Sequence, residues 1–307
     1  MSAPHTPAPG RTPPTGRTPT TGHTPLAFGL GPVPGTTPAD FEEAADIILS
    51  ETPLPHIPQL PARGVGSDAV GRTAALLDIP IDRGPRGWRV APRPSTRAMY
   101  TDRLERDLDI LEELWAGKTT QVKTQLVGPW TLAAEIEMAN GHRMITDPGA
   151  LRDITEALVE AVAAHRRSVE KRLAPTVLQL DEPRLADIMR GTLPGTTEFE
   201  TIPAFPEPEE RLAPFEALLN APLLIDVPWQ TAKHPDNQHL DQLARLLDRG
   251  SRVAFPAMPR ATFLRLFDEL QLDPAECALD VYATAGTTLA ETATSYRAAR
   301  EMAEGIR

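Results

Sequence analysis

The chain has 307 residues, with 31 basic against 42 acidic side chains and a formal net charge of −11. An acidic balance without a basic block excludes nucleic acid or an anionic membrane surface as the main partner. One cysteine, Cys277, excludes a disulfide framework and any CxxC site. No apolar run approaches the ~20 residues of a membrane span, and the N-terminus lacks an apolar signal core, so a soluble, cytoplasmic protein is expected.

In chain order, residues 1–24 come first, a Thr/Pro/Gly-rich repeat (Gly10-Arg-Thr-Pro-Pro-Thr, Gly16-Arg-Thr-Pro-Thr-Thr, Gly22-His-Thr-Pro) with almost nothing apolar to bury. Such a segment is expected to be disordered, and its His5 and His23 are not expected to bind metal. Leu26-Ala-Phe-Gly-Leu-Gly31 reads as a strand ending in a glycine turn, followed by a helix from Pro38 to Ser50. A helix over Thr96–Trp115 places Leu104, Leu108, Leu111 and Leu114 on one face and its charges on the other. Thr120–Val127 is a strand, broken by Gly128-Pro129 before a helix over Trp130–Met138. A long helix over Pro148–Arg172 leads into the strand Thr176–Leu180. Strands at 222–227, 252–255 and 278–282 then alternate with helices near 238–249, 260–270 and 288–304. The acidic, proline-rich stretch 192–212 reads as a long loop over one end of the fold.

This alternation predicts an α/β protein with parallel strands and helical crossovers, residues 25–307 forming one domain. A (β/α)8 TIM-type barrel fits the length, although only six or seven strands are convincing, so one βα unit is shortened or missing. A doubly wound sheet is the alternative, but no Gly-x-Gly-x-x-Gly or Gly-x4-Gly-Lys-Ser/Thr element follows a strand. In a barrel the chemistry sits at the carboxyl ends of the strands. Asp181-Glu182-Pro183 directly follows such a strand, where two carboxylates hold an ammonium group or shuttle a proton. An ordinary helix start, with Asp as N-cap, explains the same residues. Leu30 and Gly31 close the first strand, where a glycine lets the backbone approach a ligand. Trp130 stacks a flat ring or anchors a helix in the core. Cys277 is either a buried apolar residue or a zinc ligand lacking obvious partners, and Asp226, His234 and His239 match no ligand spacing.

Taken in order, Leu30-Gly31 with Pro34-Gly35-Thr36, Leu54-Pro-His-Ile-Pro-Gln-Leu-Pro-Ala-Arg-Gly64, Gly128-Pro-Trp-Thr131, Gln179-Leu-Asp-Glu-Pro183 and Pro274-x-x-Cys277 resemble the catalytic domain of cobalamin-independent methionine synthase, in its short single-domain form. The resemblance runs over nearly all of residues 26–305. It implies a (β/α)8 barrel in which zinc holds homocysteine sulfur as a thiolate that attacks the methyl group of a methyltetrahydrofolate. It also implies that Asp181 holds the homocysteine amino group, that Asp187 serves folate binding, that Cys277 is the last zinc ligand, and that the Leu30–Gly31 backbone receives the amino-acid end. Gln59 stands where the family carries a glutamate. Other family features are missing: a His with a nearby Cys after the strand Leu223–Val227, a serine at Pro32, and a late His in Val253–Met258.

Three functions follow. One is methyl transfer to homocysteine with a degraded zinc site. The second is a ligand-binding or regulatory protein that keeps the cleft without turnover. The third is metal-free barrel chemistry by Asp181 and Glu182.

Overall fold

The computed structural model describes residues 23–92, 97–197, 199–205, 214, 224–226 and 237–306. The expected tail therefore lies outside the described residues up to residue 22. His23, at the end of that stretch, is described: its Nε2 lies 3.1 Å from Asp280 Oδ1.

The elements in order are β1 (Ala27–Gly29), α1 (Pro38–Glu51), α2 (Ala69–Ala74), β2 (Ile81–Arg83), β3 (Trp88–Val90), α3 (Arg97–Trp115), β4 (Val122–Val127), α4 (Pro129–Glu135), β5 (Ile136–Glu137), α5 (Pro148–Arg172), β6 (Thr176–Asp181), α6 (Leu185–Arg190), β7 (Leu224–Asp226), α7 (Asn237–Asp248), β8 (Val253–Pro256), α8 (Arg260–Leu270), β9 (Leu279–Ala283) and α9 (Leu289–Gly305). The helices start where their caps dictate. Thr37 and Asp40 close a capping box at α1, and Asp147 caps α5 with Pro148 in its first turn. Along α5, Leu151, Ile154, Leu158, Val162 and Val169 recur at helical spacing and are buried.

Two parallel sheets carry the architecture, β8–β9–β1 and β4–β6–β7. The extended segment 54–59 joins them. On one side Gln59 N donates to Gly31 O (3.1 Å) and Val33 N to Gln59 O (2.8 Å); on the other Ile57 N donates to Lys123 O (3.1 Å) and Lys123 N to Pro55 O (2.7 Å). Pro55 and Pro58 have no N–H to give, so the ladder is interrupted and the segment does not read as a strand. The series β8, β9, β1, 54–59, β4, β6, β7 thus makes seven parallel staves.

The α/β class holds. A closed eight-stranded barrel is not found among the described residues, where no ladder joins β7 to β8. A small third sheet, β2–β3–β5, lies apart from this series, with the β2–β3 hairpin antiparallel. Among the described residues no helix is long and apolar enough to cross a membrane.

Strands buried on both faces are expected to be apolar throughout. The outward residues obey, Leu126, Leu178 and Leu180 packing against α4, α5 and α6. Inside, Phe28, Leu54, Val177 and Tyr282 form an apolar layer. Toward the carboxyl ends the interior turns polar.

Candidate functional site

β4 and β6 pair in register, with Lys123 opposite Val177, Gln125 opposite Gln179 and Val127 opposite Asp181. Period-2 alternation puts Val177, Gln179 and Asp181 on one face of β6. Lys123 and Gln179 are completely buried. The Lys123 ammonium donates to Gln179 Oε1, approaches Leu30 O at 3.5 Å and lies 5.3 Å from the centre of the Phe28 ring. Gln179 Nε2 donates to Leu30 O (2.8 Å) and to Asp181 Oδ1 (2.6 Å). The amide is thereby fixed in one orientation, its oxygen toward the deep ammonium and its nitrogen toward the half-buried carboxylate at the strand end. A line runs from buried cation through amide to carboxylate, ending where β1 and β6 finish.

Asp181 is the last residue of β6 and not a helix N-cap; α6 starts four residues later behind Arg184. Glu182 takes another role. Fully buried, it accepts from Trp130 N (3.0 Å), Thr131 N (2.7 Å) and Thr131 Oγ1 (2.6 Å), closing the first turn of α4 from the neighbouring strand. A Cβ on Gly128 would sit 2.2 Å from Glu182 Oε1, which is why glycine ends β4. Burial pushes the Glu182 carboxyl up to about 7 against those three hydrogen bonds, the Asp181 charge adding a smaller push.

The other expected residues divide. Leu30 is in the cluster, its carbonyl taken up by Gln179. Gly31 adopts φ +133°, and a Cβ there would lie 2.7 Å from Gln125 Nε2, so the turn requires glycine. Gln59 is buried and donates from Nε2 to Gln125 O (3.2 Å), tying stave 54–59 to β4. The Trp130 ring is in the core, its centroid 5.3 Å from that of Phe205, so it anchors α4 and offers no open stacking face. Asp187 lies in the first turn of α6, accepts from Thr192 Oγ1 (3.2 Å) and is not joined to Asp181.

Cys277 stands apart from all of these. It precedes β9, at the amino end of the β8–β9–β1 sheet, whereas Asp181 ends β6 in the other parallel sheet. Its thiol donates to Asp273 O (3.3 Å), and it packs with Phe255, Phe263 and Phe267. Cys277 is thus buried in an apolar cluster just before β9, as the first of the two readings of this residue expects. Among the described residues no three His, Cys, Asp or Glu side chains converge. The donors among the described residues do not by themselves fit a zinc thiolate site, which needs three or four N, S or O ligands. His234, and the side chains of Asp226 and His239, lie outside the described residues.

Lys123 and Gln125 lie outside the quoted motifs, and Gln179 enters them only as the residue leading into Asp181. Their signal is a polar residue inside an apolar run, at alternate positions of a predicted strand. His56, in the quoted Leu-Pro-His-Ile-Pro stretch, is fully buried; burial first and the Lys123 charge second hold its pKa well below the ordinary value, keeping it neutral. Its Nε2 lies 3.3 Å from the Tyr296 hydroxyl.

Residues 59–201 match the family model described as cobalamin-independent synthase, catalytic domain. This is the family that the sequence resembles. The matched stretch, a little under half of the chain, holds Gln59, Lys123, Gln125, Gln179, Asp181, Glu182 and Asp187, whereas Leu30, Gly31 and Cys277 fall outside it. No curated protein matches the chain. The match is consistent with a divergent, short member of that family.

Proposed function

We propose that the protein is a cytoplasmic, methionine synthase-like barrel, one βα unit short of eight, that binds an amino-acid-like small molecule at the carboxyl ends of β1 and β6. The observation that carries this reading is the Lys123–Gln179–Asp181 line ending in a half-buried carboxylate beside the Leu30 turn. Asp181 is oriented by an amide that cannot turn, so its negative charge is held ready for a ligand ammonium group. The resemblance implies homocysteine as that ligand. Glu182 does not join it, because its two oxygens hold α4. Gln59 leaves Asp181 without the second carboxylate that the family places there. The missing soft donors among the described residues favour ligand binding over thiolate activation.

The test is calorimetric titration of the full chain with homocysteine and with methionine. Asp181→Asn is expected to weaken binding about 10- to 100-fold, the loss of one charge-assisted hydrogen bond. Absence of binding to either compound, with the protein folded, ends the reading. The family match favours a second one, methyl transfer from a methyltetrahydrofolate to homocysteine. One zinc per chain in protein purified without chelator, together with methionine formed, would establish it in place of the first.

A further inference from the structure

A second buried charge cluster lies where α2 and α3 pack against β4 and α5. Asp107, on the inner face of α3, is completely buried and accepts from Arg63 Nη1 at 2.7 Å. Arg72 Nη1 stands 4.0 Å from its other oxygen, too far for a hydrogen bond. Arg103, one turn earlier on α3, donates to Ser67 Oγ and reaches Val65 O at 3.4 Å. Three guanidinium groups therefore meet one carboxylate, in a chain that is acidic overall. Neighbouring groups do not restore the balance. Asp68 is occupied by Gly71 N and Trp88 Nε1, each at 3.0 Å. His165 of α5 is kept neutral at a pKa of about 4 by burial and by the Arg72 charge.

Between these groups lies a cavity of about 20 Å³ lined by Ser67, Arg72, Tyr100, Arg103, Gln125 and His165. It has room for one occupant the size of a water. Two of the lining residues carry buried donors, Tyr100 Oη and Arg72 Nε, that have no hydrogen-bond partner among the described residues. Tyr100 is 5% exposed, so bulk water does not serve it. Buried donors without acceptors are rare, and these two face a surplus of positive charge. An anion supplies acceptor and charge together; a water supplies only the acceptor. Gln125 Oε1, also without a partner, is the lining atom that a water would suit better.

We propose that this cavity is a binding site for a small monovalent anion of chloride size, held by Arg72 and Tyr100 under the charge of Arg103. The site is remote from Asp181 in role: it ties α2 and α3 to the stave wall at Gln125 and leaves the strand ends alone.

The test uses the full chain. Crystals grown in sodium bromide are expected to show an anomalous bromide peak in contact with Tyr100 Oη and Arg72. In solution, Tm is compared in sodium chloride and sodium gluconate at equal ionic strength. A rise of about 3–6 °C in chloride is expected when it stands near tenfold its Kd. Tyr100→Phe removes one hydroxyl that has no protein partner. It should keep its Tm in gluconate and lose at least half of the chloride increment. Arg72→Met should lose all of it. Equal Tm values for the native chain in the two salts, or a bromide-grown crystal with only a water at the site, would overturn the proposal.

Discussion

Two buried charge clusters share the wall made by β4, and they are built in opposite ways. The inner one has a single cation, Lys123, connected through Gln179 to a single carboxylate, Asp181. Each member is set by strand register, and the amide has one allowed orientation. The outer one gathers Arg63, Arg72 and Arg103 around Asp107 from a loop and two helices, and leaves donors at Tyr100 and Arg72 without partners. A satisfied network in a low-dielectric interior fixes geometry. An unsatisfied, charge-unbalanced one is a place for something else. The inner cluster accordingly points its last carboxylate at the strand ends, while the outer one encloses a cavity.

The largest test of this contrast is Asp107→Ala. It removes the carboxylate that three arginines surround and leaves the half-buried Arg63 without its ion pair, at an expected loss of about 3–5 kcal/mol in urea unfolding. Binding of homocysteine should be unaffected in the fraction that stays folded. A loss under ~1 kcal/mol would mean that the outer cluster is not held by Asp107.

Next in size is the pH dependence set by Glu182. Its carboxyl holds a proton to about pH 7 when folded and to about 4.5 when unfolded. Its contribution is therefore complete below pH 4.5 and is lost as pH rises through 7, an effect on the order of 3 kcal/mol. His165 has the opposite sign. Its pKa is about 4 folded against 6.5 unfolded, so its contribution is present above pH 6.5 and is lost as pH falls through 4. The difference in stability between the native chain and Glu182→Gln isolates the carboxylate; it should fall steadily from pH 4.5 to 7, and a flat difference would refute it.

Lys123→Met comes third. It keeps the length of the side chain but leaves Gln179 Oε1 without its buried donor, costing about 1–3 kcal/mol. Freed from the ammonium, the Gln179 amide can turn, so ligand affinity should fall as well. Unchanged affinity would show that Asp181 needs no support from below.

Much of the frame is legible in the chain. Thr37 with Asp40, and Asp147 with Pro148, announce their helices, and the apolar runs of β4 and β6 announce buried strands. Stave 54–59 is hidden because Pro55 and Pro58 delete the ladder donors that define a strand. The β2–β3 hairpin is hidden because its short polar strands depend on Trp88 packing edge-on to Tyr100, a contact that no local pattern records. At the site, Asp181 is readable as a carboxylate at a strand end. Its link to Lys123 is not, since that requires the register of two strands 50 residues apart. Cys277 stays ambiguous for a related reason: its place in the chain order does not say whether its thiol meets a metal or the apolar cluster of Phe255, Phe263 and Phe267. Asp107 looks like one of many solvated helix charges, and only tertiary packing reveals that it faces inward.

The smallest expected change in stability belongs to the most informative variant. Asp181 is half-buried at the end of β6, and its recorded hydrogen bond from Gln179 is one that an asparagine oxygen also accepts. Asp181→Asn should therefore shift unfolding by less than ~1 kcal/mol, since exchanging the carboxylate for an amide preserves that acceptor. The negative charge facing the strand ends is removed at the same time. If that charge exists to hold a ligand ammonium group, affinity falls while the fold persists, and the split between the two readouts is the signature. If instead stability falls by several kcal/mol, the carboxylate serves mainly to balance Lys123, and the inner cluster would be a structural core that happens to end at the mouth of the fold.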